Sequence, residues 1–198
     1  MALPASAPRL ILASGSPRRA ELLREAGIAF EVIFPEVEEI HDAVTPVGEL
    51  AAWNARLKTL WVAQKHPGAL VLGADTLVSV AGEALAKPSD LEEAHTMVRR
   101  LAGRTHTVLT AVCLCGPALE NVEDFAVETR VTFRPLSDDD IRSYHALVNP
   151  LDKAGAYAAQ EHGDRLLESV EGSITNVIGL PMEALLERLA RTSAIYGK

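Results

Sequence analysis

Residues 10–27, Leu-Ile-Leu-Ala-Ser-Gly-Ser-Pro-Arg-Arg-Ala-Glu-Leu-Leu-Arg-Glu-Ala-Gly, constrain the fold more than any other stretch of the sequence. They read as a strand, a tight turn and a helix. Residues 10–13 form an apolar run, Gly15 permits the turn, Ser16 suits the N-cap, Pro17 the first helical position and Gly27 the stop. The charge of this helix is unusual. A helix N-terminus carries roughly half a positive charge and favours acids, yet Arg18 and Arg19 occupy the first turn. Two readings follow. Either both arginines reach solvent with Glu21 and Glu25 as local partners, or the guanidinium groups, the free N–H groups and the hydroxyls of Ser14 and Ser16 together bind an anion such as phosphate.

The remaining segments extend an α/β pattern. Residues 30–34 alternate loosely as a second strand, and an acidic stretch with Glu36, Glu38, Glu39 and Asp42 follows. That stretch is either a solvated loop or a source of one carboxylate facing a metal ion or the anion site. Thr45-Pro46 opens a helix over 47–64 with Leu50, Ala51, Asn54, Leu57, Leu60 and Trp61 on one face. Asn54, polar on that face, is either a satisfied buried amide or a ligand contact. Residues 70–80 begin as a continuous apolar strand of the sort covered on both faces, expected to stop at Asp75; Asp75 and Thr76 then lie at a carboxyl end, where open α/β sheets bind ligands.

A short strand returns to Lys87-Pro88, and Ser89-Asp-Leu-Glu92 reads as a capping box opening a helix that stops at Gly103. Two long strands, 106–114 and 125–133, suggest an antiparallel pair, and Ser137 caps a helix over 138–147 whose first turn is acidic. The helices after Ser89 and Ser137 obey the dipole rule, so the double arginine is a local anomaly that favours the phosphate reading. A short strand over 166–170, a turn-rich connection over 172–176 and a helix from Pro181 to about 190 complete the chain. With no internal repeat or linker, residues 1–198 read as one unit.

A net charge of −8 argues against a protein that coats nucleic acid or an anionic membrane. No apolar run reaches the 18 or more residues of a membrane span, no leader-like segment opens the chain, and Cys113 and Cys115 lie one residue apart in an apolar strand, so a cytoplasmic protein with reduced core thiols is expected. There is no Walker A loop, no G-x-G-x-x-G after a strand, no H-E-x-x-H and no G-x-S-x-G elbow. What remains is Ser14, Ser16, Arg18 and Arg19 for phosphates, Asp75 and Lys87 between, and Lys153 and Gln160 late in the chain. Cations with isolated carboxylates suit metal-assisted phosphoryl or nucleotidyl chemistry. Taken alone, Lys87 is equally a solvated surface lysine.

These residues also carry a resemblance. Ala-Ser-Gly-Ser-Pro-Arg-Arg near the start, Gly-Ala-Asp-Thr at 73–76, Lys87-Pro88, Gly103-Arg-Thr-His106, Asp152-Lys-Ala-Gly-Ala-Tyr157, Asn176 and Gly179-Leu-Pro181 resemble, in order and over almost the whole length, the Maf family of nucleoside triphosphate pyrophosphatases. The resemblance implies a mixed twisted α/β sheet with flanking helices, two lobes around a deep cleft, and a homodimer. It further implies metal-assisted hydrolysis of a nucleotide to its monophosphate and pyrophosphate, with Mg2+ or Mn2+. On it, Ser14, Arg18 and Arg19 look like the phosphate cradle, Asp75 like the general base, and Glu39 and Lys87 like active-site residues; Ser16 and Lys153 are expected as further substrate contacts, and Glu39 and Asp75 as the carboxylates facing the metal. Thr76 and Gln160 match the subgroup that prefers dTTP and UTP. A purine or modified-nucleotide pyrophosphatase, and a non-catalytic nucleotide-binding regulator of cell division, are the alternatives. One position departs from the subgroup: Leu-Ala-x-x-Lys-Ala stands here as Leu50-Ala-Ala-Trp-Asn54-Ala55, which removes a cation unless Lys58, one turn on, substitutes. Gln160 is also followed by Glu161-His162 rather than by small residues.

Overall fold

The computed structural model describes residues 8–42 and 44–196, with side chains through residue 192. Strands β1 (Leu10–Ala13), β2 (Glu31–Ile33) and β3 (Leu70–Val80) are parallel, joined through helices α1 (Pro17–Glu25) and α2 (Val47–Lys65). From β3 outward the sheet turns antiparallel, through β5 (Thr105–Cys115), β6 (Glu123–Phe133) and β7 (Leu167–Glu171), with the short β4 (Glu83–Leu85) on the other edge of β3. The order is β2-β1-β3-β5-β6-β7, a mixed α/β sheet of seven strands among the described residues.

Strand alternation explains the layering. Leu10, Leu12, Leu70 and Leu72 point to the face covered by α1 and by α6 (Met182–Tyr196), whereas Ile11, Ala13 and Val71 point to α2. Both faces are covered, so these strands read as unbroken apolar runs. A separate core forms where Val78, Val108, Val131 and Phe133 meet helices α3 (Leu91–Leu101) and α4 (Asp138–His145). The sheet is continuous across both cores, and the cleft lies between them. Among the described residues no helix is long and apolar enough to cross a membrane.

Several local expectations shift. The helix after Ser89 is capped by Asp90, whose side chain accepts from the Glu93 N–H, while Glu93 accepts from the Ser89 N–H and hydroxyl. The box is displaced by one residue because Asp caps as well as Ser and Glu occupies both 92 and 93. Ser137 caps as expected, with Asp140 completing its box. The connection after Gly172 contains a helical turn, α5 (Ile174–Ile178), capped by Ser173. Cys113 and Cys115 are free and buried, and burial pushes both thiols up, Cys113 far up.

Two differences bear on the cleft. The buried face of α2 runs through Asn54, Ala55, Lys58 and Thr59, whereas Leu57 is 37% exposed. Strand β3 does not stop at Asp75 but continues five residues to Val80, held by β5 along its other edge. The edge facing β1 is paired as far as Gly73 with Ala13, and again from Val78 with Leu85 of β4. The cleft opens on that edge between these pairings, because β1 ends at Ala13. Asp75 therefore lies beside a gap in a mid-sheet strand rather than at a strand end.

Gly73 lets α2 approach this strand. A Cβ there would lie 2.2 Å from the Thr59 hydroxyl and 2.9 Å from the Ala55 carbonyl oxygen. Gly73→Ala is expected to lower stability by about 1–3 kcal/mol through overpacking, read as a reduced urea midpoint with an unchanged m-value. An unchanged midpoint would show that α2 can retreat freely.

Candidate active site

A cleft of about 730 Å³ opens between the two cores, a size that suits a small ligand. All ten residues singled out in the sequence line it: Ser14, Ser16, Arg18, Arg19, Glu39, Asp75, Thr76, Lys87, Lys153 and Gln160. Five cations and three carboxylates are among the described residues lining it, in a chain of net charge −8. The positive potential is therefore local, as anion binding requires.

The cradle is built from the β1–α1 turn. Pro17 opens α1, no acid stands in its first turn, and the Ser16 side chain makes no capping hydrogen bond. The expected Ser16 cap is thus correct in position but not in bonding, and the Ser14 hydroxyl accepts from the Ser16 N–H at 3.2 Å. Arg19 is only 8% exposed. Its guanidinium donates to the Gly179 carbonyl (2.8 Å), the Ser14 hydroxyl (3.0 Å) and the Thr76 hydroxyl (3.1 Å). These acceptors are all neutral. Burial pushes its pKa below the usual arginine value, Asp75 partly opposes that, and Arg18 adds to it. A buried cation without an anion in direct contact is costly, and a phosphate would relieve the cost. Arg18 instead crosses the cleft to Asp152 at 3.0 Å, linking α1 to the segment after α4. Burial would raise the Asp152 carboxyl, but Lys153 and Arg18 hold it below its usual value.

Opposite the cradle, Lys58 of α2 bonds Asp75 at 2.7 Å and Glu39 at 2.9 Å. Lys58 and Asp75 side chains are each 8% exposed. Burial raises the Glu39 carboxyl, yet Lys58, with help from Lys87 and His41, brings it below its usual value. The second oxygen of Asp75 is buried without a hydrogen-bond partner. Alternation along β3 sends Asp75 toward α2 and Thr76 toward Arg19 of α1. Thr76 also shares a hydrogen bond with Thr110, which donates to the Asn176 carbonyl, so a buried polar chain backs the cradle.

Lys87 stands exposed on the cleft wall and Gln160 exposed at its rim. Lys153 lines the cleft, but its ammonium is bonded to the Asn149 carbonyl (2.7 Å) and Asp152 (2.8 Å), with Glu161 at 3.6 Å. Its direct partners are therefore protein groups, and it shapes the Asp152 segment. The missing lysine at position 54 is a matter of register. Asn54-Ala55-Arg56-Leu57-Lys58 repeats Ala-x-x-Lys one turn later, and that lysine is the one in the cleft. Asp152, the partner of Arg18, was missed as a site residue, although it directly precedes Lys153.

A family model described as Maf-like protein matches residues 9–192. The chain belongs to the Maf-like family. Among Maf-like relatives, one from Akkermansia muciniphila named dTTP/UTP pyrophosphatase is 49% identical over 92% of this chain and 95% of its own. Relatives of the same name from Myxococcus xanthus, 48% identical over 90% and 91%, and Koribacter versatilis, 44% identical over 94% and 95%, follow. A solved structure of the Staphylococcus aureus Ham1 protein is 17% identical, with a TM-score of 0.48 over 91% of this chain and 98% of that one, a likeness too distant to inform function.

Tyr157, on the cleft wall, is 2.8 Å from Nε2 of buried His106, and both rings pack edge-on against Phe133. Burial pushes His106 down to about 4 from 6.5. The unfolded chain therefore takes up this proton as pH falls through 6.5 while the folded chain resists until about 4, so stability is lost across that window, by about 3 kcal/mol in full. Urea unfolding at pH 7 and pH 4.5 should show part of this loss in the wild type and a smaller one in His106→Gln; equal losses in the two proteins would remove His106 as the cause.

Proposed function

We propose that this Maf-like chain hydrolyses a nucleoside triphosphate, dTTP or UTP, to the monophosphate and pyrophosphate. The observation that carries the reading is Arg19, a buried guanidinium with only neutral acceptors, at a helix N-terminus across a cleft from an unsatisfied Asp75 oxygen. The names of the relatives supply the substrate.

In this reading the triphosphate takes the cradle of Ser14, Arg19 and the first-turn N–H groups of α1, with Arg18 exchanging part of its bond to Asp152 for phosphate oxygens. Water forms a bond to the α-phosphorus, the α–β bridging bond breaks, and pyrophosphate leaves with that bridging oxygen. The partnerless oxygen of Asp75 orients the water and accepts its proton, while Lys58 fixes the other oxygen. Lys87 and the arginines offset the charge that builds on the leaving group. Gln160, with a donor and an acceptor in one amide, suits the edge of a pyrimidine at the rim. Thr76 acts on the substrate through Arg19, whose guanidinium it holds.

Among the described residues no cluster of three or more His, Cys, Asp or Glu could hold a metal ion. Two carboxylates with a free oxygen do fit a magnesium-type ion, which is commonly bound by one or two carboxylates plus substrate phosphates. Glu39 would hold it directly, with Asp75 facing it across the water that its free oxygen orients. Such an ion supplies charge neutralisation and Lewis acidity at the phosphates when bound.

Purified protein with Mg2+ or Mn2+ should release pyrophosphate from dTTP or UTP in preference to purine triphosphates. Asp75→Asn is expected to lower kcat by about 10²–10⁴-fold with an unchanged circular dichroism spectrum. Wild-type turnover in that variant would remove Asp75 from the chemistry, and binding of nucleotide without product would replace hydrolysis by a sensing role.

A further inference from the structure

The segment from Pro35 to Pro46 that brings Glu39 to the cleft contains neither helix nor strand among its described residues. A carboxylate on such a segment cannot inherit its position from secondary structure, so other contacts must supply it. Two contacts tie the segment to α2. Lys58 bonds the Glu39 carboxylate at 2.9 Å, and one turn earlier Asn54 grips the backbone of the next residue, Ile40. The Asn54 carboxamide oxygen accepts from the Ile40 N–H at 2.8 Å, and its nitrogen donates to the Ile40 carbonyl at 3.0 Å.

Asn54 thereby pairs with Ile40 much as a neighbouring strand would. An amide side chain offers a donor and an acceptor at peptide spacing, which a lysine or a leucine at 54 does not. The residue is 1% exposed, so its polar atoms have no alternative in solvent, and losing the pair would leave buried groups unsatisfied. Helical spacing puts Asn54 and Lys58 on one face, reading Ile40 and Glu39 in antiparallel order.

We propose that Asn54 is a positioning residue, its carboxamide clamping the Ile40 backbone so that the adjacent Glu39 carboxylate is held at Lys58 in the cleft. This rests on the pyrophosphatase reading for the reaction that Glu39 serves. Asn54 touches neither phosphate nor metal in this role. It replaces the lost secondary structure of the segment with a single side chain.

The test is a double-mutant cycle with Asn54→Leu and Glu39→Gln, scored as pyrophosphate release from dTTP with Mn2+, beside hydrogen exchange at the Ile40 amide in protein without nucleotide or metal. Asn54→Leu is expected to lower kcat by about 10- to 100-fold, the range for losing a partner that orients a metal-facing group, with a smaller effect on KM. Placed on Glu39→Gln, it should cost nothing further in kcat. The Ile40 amide should lose protection in Asn54→Leu while the amides of Thr59 and Val62 keep theirs. Asn54→Asp, which keeps an acceptor for the Ile40 N–H but sets a second oxygen against the Ile40 carbonyl, should lose part of that protection and part of kcat, and serves if the leucine variant does not fold. Losses that multiply in the double variant, or an Ile40 amide unchanged in Asn54→Leu, overturn the proposal. A wild type inactive on every triphosphate overturns the pyrophosphatase reading and the positioning role with it; multiplying losses in an active wild type overturn the positioning role alone.

Discussion

The ion pair between Lys58 and Asp75, 2.7 Å apart and nearly withdrawn from water, sets the conditions for everything else in the cleft. Removing two charges from water costs several kcal/mol per ion before their attraction is counted, so such a pair persists only where geometry and further hydrogen bonds support it. Here the support is visible. Gly73 lets α2 lie against β3, Lys58 divides its ammonium between Asp75 and Glu39, and the gap left by β1 gives the carboxylate an opening toward the cleft. The pair is poor stabilisation by itself. Its effect is to leave one Asp75 oxygen engaged and the other without a partner, the asymmetry an acid-base group needs.

The same strand organises the opposite wall. Because successive residues point to opposite faces, Asp75 belongs to the α2 side and Thr76 to the α1 side. In a fully paired sheet these faces would be separated by the neighbouring strand. Past Ala13 that neighbour is absent, and both residues reach one cavity. Arg19 is then held by Thr76, Ser14 and Gly179, with Thr110 and Asn176 behind them, so the β1–α1 turn is backed by a buried polar layer. Arg18 differs. Its partner Asp152 comes from across the cleft, which makes their pair a link between the cores.

Much of this was legible in the chain. That the turn carrying Arg18 and Arg19 lines the cleft could be read from the conflict between these arginines and the helix dipole, because that effect acts within one turn and needs no tertiary information. The apolar run of β3 announced a covered strand, and the motif order carried the family. The buried face of α2 was less accessible. Leu57 and Trp61 outweigh Lys58 and Thr59 in any reading by hydrophobicity, yet the helix buries the polar pair, because directly beneath that pair β3 presents Gly73 and Asp75, between the apolar Val71 and Leu77. For the same reason the sequence presents Asn54 as a lost cation where the fold makes it a backbone partner, while Lys153 lines the cleft with protein acceptors on its ammonium.

The sequence by itself determined most of the elements, though not α5 or the full length of β3, and the local electrostatics of α1, since these follow from contacts within a few residues. Tertiary structure decided where β1 stops relative to β3, which side of α2 is covered, and which cation meets which carboxylate. Glu39 and Lys58 lie 19 positions apart, and Arg18 and Asp152 lie 134 apart. Pairings over such separations depend on the register between elements, and register is fixed only when the whole sheet has closed around its helices.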